Sequence, residues 1–325
     1  MNIARAWPGQ VPGRAHGPGV GFFGSKEREL RVRVVDAPAT GAGAFTARPY
    51  RATDRRAVLE LIGADRLPGH PAPAPGTLAN ALAGLDADGY PQVEGIAHPV
   101  TDLLLDAQSR PTGIICCALR PDDRSAVVLW AHGREHFETM AVLLAWARAR
   151  LGTRRTWYAF PGSAATGPGF EGLPAGHRPA TTRALLTAGF APLAERHHWH
   201  RTLTHPHPAT PPAAATWPPV EITPARGPAG WHLRLTHTGA PLAEARLDGP
   251  HHGITHLRHL TVAPVHRGRG LGRCLLDECL RHAARCGATA VTAVTDTVHL
   301  EAPASGLLSG AGFVPVETAV VYRRT

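Results

Sequence analysis

Between residues 267 and 273 the chain reads RGRGLGR, three arginines interleaved with three glycines. Glycine lets a backbone approach a ligand closely, and successive N–H groups in such a loop form a concave anion site. From Leu271 onward apolar residues recur at helical spacing, so a helix begins where the loop ends and adds its unpaired N–H groups and positive dipole end. The chemistry is that of a grip for a pyrophosphate: backbone from Gly268, Gly270, Leu271 and Gly272, with charge-assisted partners in Arg267, Arg269 and Arg273. A Walker loop needs G-K-[S/T], which the chain lacks, and a dinucleotide fingerprint needs its glycines tight against the strand, whereas PVHR intervenes here.

Proton chemistry is offered just upstream, where THLRHLTV reads as a strand. Strict alternation puts His256, Arg258, Leu260 and Val262 on one face and Leu257, His259 and Thr261 on the other. A metal role is not expected. The tract HHWHRTLTHPHP, residues 197 to 208, holds five histidines but has neither cysteine partners nor regular ligand spacing, and reads as a strand end running into a linker. The five cysteines, Cys116, Cys117, Cys274, Cys279 and Cys286, form no C-x-x-C pair; this argues against a disulfide framework or structural zinc and fits a reducing cytoplasm. The last three read as small apolar residues of one helix.

A chain of 325 residues exceeds one ordinary core and fits two domains. No window approaches 18 consecutive apolar residues and the start lacks a signal-peptide core, so neither a membrane span nor export is expected. The formal charge is +9, almost all of it arginine with Lys26 the sole lysine, but no basic run of the nucleic-acid-binding kind occurs.

Residues 1–44, rich in Gly, Pro and Arg, read as a flexible leader. Residues 45–203 read as strand, helix (DRRAVLELIGA), a Pro-rich connection, three strand-like runs, a long helix (HFETMAVLLAWARARLG), a strand, a helix and a closing strand near Trp199. Residues 204–219, inside a stretch with six prolines, read as a semi-rigid linker. Residues 220–325 then repeat the order, with GLGRCLLDECLRHAARCG as the long helix and VPVETAVVYRR as a terminal strand pair. ALLTAGF closes at Phe190 and LLSGAGF at Phe313, which supports an internal duplication. Trp130, Trp146, Trp157 and Trp199 are candidates either for core positions or for an aromatic acceptor cavity.

With Val262 and Pro264 ahead of the Arg267-x-x-Gly270-x-Gly272 run, the second half resembles the GNAT superfamily of acyl-CoA-dependent N-acyltransferases. The resemblance implies an α/β (α+β) fold, a mixed twisted β-sheet flanked by helices, in two tandem copies. The first copy is degenerate, since LWAHGREHFETMAVLL carries one glycine and two glutamates where phosphates would sit. It further implies acetyl-CoA as cosubstrate, no metal, direct attack by an amine acceptor, and pairing of Leu260, Thr261 and Val262 with the pantetheine arm. His256 becomes the candidate base, with Glu244 in reserve. Many family members carry a tyrosine as general acid where this chain has Leu308; Ser305 or Tyr322 are the substitutes, and a non-catalytic acyl-CoA sensor is the alternative. Only TPARGPAG separates the first two strands of the second half, so the resemblance implies that the first domain completes the acceptor wall.

Overall fold

The computed structural model describes residues 45–325 except 68–72, 87–88, 90, 153–155, 163–171, 204–218, 226–229, 251 and 297–302. The leader and nearly all of the linker therefore lie outside the described residues. In chain order the elements are β1 (Thr46–Pro49), α1 (Arg55–Ala64), α2 (Pro75–Leu82), β2 (Ala97–Leu105), β3 (Pro111–Arg120), β4 (Ser125–His132), α3 (Phe137–Leu151), β5 (Trp157–Ala159), β6 (Leu173–Pro174), α4 (Pro179–Thr187) and β7 (Ala191–Thr202). The second half follows as β8 (Val220–Pro224), β9 (Gly230–His237), β10 (Ala240–Asp248), β11 (Ile254–Val262), α5 (Leu271–Arg285), β12 (Ala290–Asp296), α6 (Pro303–Gly310) and β13 (Val314–Arg324). The mixed sheet with flanking helices is the expected architecture. Two local readings need correction: VPVETAVVYRR is one strand rather than a pair, and the Pro-rich connection contains α2, whose Pro75 stands at the helix start where a missing N–H costs nothing.

All strands join one sheet in the order β1-β2-β3-β4-β5-β13-β7-β12-β11-β10-β9-β8, with β6 paired to β13. The last strands of the two halves are therefore exchanged. β13, from the end of the chain, pairs with β5 through Tyr322↔Ala159, and β7, from the end of the first half, pairs with β12 through Trp199↔Ala293. Side chains follow the strands. Tyr322 and Val320 are buried in the core built by α3 and α4, whereas Trp199 is buried in the core built by α5 and α6. Burying side chains of this size in the opposite half contributes about 1.5–3 kcal/mol each and ties the halves together.

Glu195 and Trp199 share one face of β7, and Glu195 is in register with Val320, so α3, α4, α5 and α6 all lie on one face of the sheet. On the other face α1 and α2 cover the first half, where Val58, Leu61, Ile62 and Leu78 pack against Ile114, Leu129 and Trp130. This double cover makes β4 buried along its whole length, which is why SAVVLWAH reads as a continuous rather than alternating apolar run. Among the described residues, no helix joins the second half's core from that face. We call it the open face.

Candidate functional site

At the end of β11 the chain turns through Pro264 and enters α5 by way of Gly268 (φ +74°) and Gly270 (φ +83°). Both angles lie in the left-handed region that side chains disfavour, and a Cβ on either glycine would meet nothing within 4 Å, so the loop is open to a ligand. Gly270 is the N-cap of α5. It supplies no side-chain cap, and the first turn holds no acidic residue. The N–H groups of the first turn therefore keep their anion-binding capacity, reinforced by the dipole of a 15-residue helix. Arg267 Nε donates to the Val262 carbonyl at 3.2 Å, folding the loop back onto its strand. Gly272 is fitted more closely, its notional Cβ 3.5 Å from both Val262 and Leu307, so the helix start seats against the strand. The amphipathic stripe Leu271, Leu275, Leu276, Cys279, Leu280 and Ala283 holds α5 in place.

Beside this loop the sheet opens. The parallel β11–β12 ladder runs from Ile254↔Ala290 to Leu257↔Ala293 and ends there, although β11 continues to Val262 and β12 to Asp296. Leu260, Thr261 and Val262 thus lie along the parted stretch. Their β10 partners are Ala245, Glu244 and Ala243.

The expected alternation on β11 is overturned by a β-bulge. His259 pairs with Arg246 but Leu257 pairs with Leu247, so Arg258 is the extra residue and every position before it changes face. Leu257, Leu260 and Val262 consequently all turn toward α5, while His256 moves to the open face with His259 and Thr261. His256 is buried, 4% exposed, and its Nδ1 lies 3.0 Å from Thr292 Oγ1. Arg258 Nε donates to Asp248 Oδ1 at 2.6 Å, and its Nη1 donates at 3.0 Å to Asp86 Oδ2 in the loop after α2. The first half therefore reaches the open face of the second.

Glu244, half-buried on that face, has three cationic or basic neighbours: His232 Nε2 at 3.2 Å, His259 Nε2 at 3.8 Å and Arg234 Nε at 3.8 Å. Burial pushes the His259 imidazole below its ordinary value; Glu244 opposes that shift and His232 adds to it. The resemblance points to His256 as base, and the structure places both His256 and His259 on the open face. Only the strand register brings His232 and His259 to Glu244.

Other expected residues fall elsewhere. Ser305 is half-buried on α6, and Leu308 is buried in the second half's core. Tyr322 cannot serve the second half: it is buried in the first half's core, where burial raises its phenol pKa. Of the two expectations for the tryptophans, the described residues show the core one. Trp130, Trp146, Trp157 and Trp199 are core residues, with Nε1 of Trp130 donating to the Ala81 carbonyl, of Trp146 to Asp102 and of Trp199 to Thr295. Burial drives the Cys116 thiol up to about 12 and the Cys279 thiol higher still, so neither is a thiolate nucleophile.

The segment that joins β4 to α3 in the first half, Gly133 to His136, is closed. The Gly133 N–H donates to Asp65 Oδ2 at 3.0 Å, and a Cβ there would lie 2.9 Å from Met140 and Thr139. Glu135 Oε2 accepts from the N–H groups of Ala180 and Thr181 at the start of α4, and Arg178 is clamped between Glu135 (2.7 Å) and Asp65 (3.1 Å). The Asp65 carboxylate thus occupies the Gly133 donor of this loop.

Residues 196–313 match the acetyltransferase (GNAT) family. The GNAT match opens inside β7, the strand that completes the second half's sheet, and closes at Phe313, before β13 leaves for the first half. Members of that family use acetyl-CoA as cosubstrate, and the glycine loop, the uncapped α5 and the parted strands all lie inside the matched span. Two solved structures share the fold over both halves. A tandem GNAT protein from the clavulanic acid biosynthesis pathway has a TM-score of 0.60 at 17% identity, covering 86% of this chain and 98% of that one. A GCN5-related N-acetyltransferase from Sphaerobacter thermophilus has a TM-score of 0.57 at 18% identity, covering 86% and 95%. No curated protein matches the chain in sequence.

Proposed function

We propose that the chain is an acyl-CoA-dependent N-acyltransferase that moves an acetyl group from acetyl-CoA to a primary amine of a small molecule or protein. The carrying observation is the conjunction, within the GNAT match, of an uncapped helix N-terminus behind two left-handed glycines with a parallel ladder that ends at Leu257↔Ala293. Gly268, Gly270, Leu271 and Gly272 hold the pyrophosphate by backbone, and Arg267, Arg269 and Arg273 neutralise it. The pantetheine arm runs along Leu260, Thr261 and Val262, and the bulge at Arg258 interrupts the ladder where a backbone N–H is needed to polarise the thioester carbonyl.

The amine then attacks the thioester directly. Its proton acceptor lies on the open face, which carries His256, His259 and Glu244, and the leaving thiolate is protonated by Ser305 or by water, since a thiol pKa near ~8.5 makes it a tolerable leaving group. In this reading residues 45–203 are a degenerate copy joined by the 204–219 linker to the cofactor half, 220–325. The acceptor pocket lies where Asp86 meets Arg258, and the enzyme works in the cytoplasm. The buried Leu308, unable to donate a proton, favours the second reading, an acyl-CoA sensor without turnover.

Isothermal titration with acetyl-CoA and an amine panel separate the two. Turnover lost in Arg267→Ala and Gly270→Glu supports the transferase; tight binding with no turnover on any amine supports the sensor.

A further inference from the structure

Resting on the transferase reading, the geometry of the open face points to a specific proton acceptor. We propose that His259, with the Glu244 carboxylate behind it, takes the proton from the acceptor amine, in place of His256.

Four observations carry this. The acyl group, if pantetheine follows the parted stretch of β11, ends near the bulge, and His259 is the residue immediately beyond Arg258 and two beyond the last ladder pair at Leu257. His259 alternates with Leu260 and so lies on the open face with Thr261, away from α5. His259 keeps 21% of its side chain exposed, whereas His256 is 4% exposed with one ring nitrogen on Thr292, so only His259 can pass its proton to water between turnovers. A carboxylate stands behind the ring, and Glu244 is itself fixed by His232 at 3.2 Å.

The 3.8 Å between His259 Nε2 and Glu244 Oε1 is too long for a direct hydrogen bond but close enough for strong electrostatic bias. Glu244 therefore favours the tautomer with the proton on Nε2, which leaves the lone pair on Nδ1. In the step, the amine nitrogen bonds to the thioester carbonyl carbon, the C–S bond breaks, the amine proton goes to Nδ1, and the thiolate takes a proton from solvent. The resulting imidazolium is stabilised by Glu244. The other charged groups around the ring are Arg246 on β10, its register partner, His232 and Arg234 on β9, and Arg258 on its own strand; Arg258 is held between Asp248 and Asp86.

The test uses the full chain, acetyl-CoA and one amine that the wild type acylates, with the pH dependence of kcat measured for the wild type, His259→Gln and Glu244→Gln. Expected is a fall in kcat of about 100-fold or more in His259→Gln, with acetyl-CoA affinity by titration unchanged. In Glu244→Gln the acid limb moves to lower pH, because the carboxylate that raises the imidazole pKa is gone; the amine's own ionisation is common to all variants. A His259→Gln enzyme within about threefold of wild type, or an acid limb that stays put in Glu244→Gln, overturns the assignment and leaves the transferase reading intact. A wild type that acylates no amine overturns both.

Discussion

Arg258 Nη1 lies 3.0 Å from Asp86 Oδ2, joining residues 172 positions apart across the two halves. The Asp86 side chain is fully buried, and Arg258 is at the same time the bulged residue one step past the last β11–β12 ladder pair. The contact that binds the first half to the open face thus sits at the point where β11 and β12 part.

Breaking that pair leaves buried charge unpaired, the costly case for an ion pair. Arg258→Met is expected to destabilise the chain by about 3–5 kcal/mol, read by urea denaturation, and to raise the KM for acetyl-CoA. Asp86→Asn leaves Arg258 its Asp248 partner and should cost less. Equal stability of the wild type and Arg258→Met would remove this contact from the account of how the halves hold together.

One acetyl-CoA per chain is expected by titration. In the first half the Gly133 N–H is taken by Asp65 and the loop is packed against Met140 and Thr139, whereas the loop at Gly268 and Gly270 is open. Arg267→Ala removes a charge-assisted partner worth about 1.5–3 kcal/mol, a weakening of roughly 10- to 100-fold. Two sites per chain would show that the Asp65, Glu135 and Arg178 network yields to the ligand.

Because the last strands are exchanged, neither half should fold alone. The segment 220–325 lacks β7, so it would expose the β12 edge and leave the core without Trp199. It is expected to aggregate or to bind acetyl-CoA only weakly. Within the intact chain, Tyr322→Ala should cost about 3–5 kcal/mol and loosen α3 and α4, rather than the α5 region that follows in sequence; hydrogen exchange distinguishes the two.

Stability should fall on mild acidification. Burial pushes the His132 imidazole below its ordinary value; Asp65 opposes the shift and Arg178 adds to it. The unfolded ring takes a proton near ~6.5 while the folded ring does not, so the unfolded state binds more protons and folding loses free energy as pH drops through that region until the folded pKa is reached. Asp65, held below its ordinary value against burial by His132 and Arg178, keeps its contribution until far more acid conditions. His259 and His282, also depressed by burial, act in the same direction. His132→Asn should therefore flatten the loss below about pH 6.5 without abolishing it.

What the amino-acid order determined by itself is local. The run Arg267 to Arg273 is recognisable as an anion loop because glycine freedom, arginine charge and a helix start are properties of neighbouring residues. The stripe of α5, the repeated element order and the Gly-Phe helix ends at Phe190 and Phe313 were legible for the same reason. Tertiary structure decided everything that depends on which strand lies beside which. Two halves of like pattern offer equivalent edges, and sequence cannot say that β13 fills the first and β7 the second. Alternation is counted along one strand, whereas the Arg258 bulge exists only against β10, and it is that bulge which moved His256 to the open face, while the register of β10 beside β11 brought His259 to Glu244. Asp86, an ordinary loop residue in the sequence, acquires its meaning from Arg258, because a buried carboxylate is stable only where the fold supplies its counter-charge.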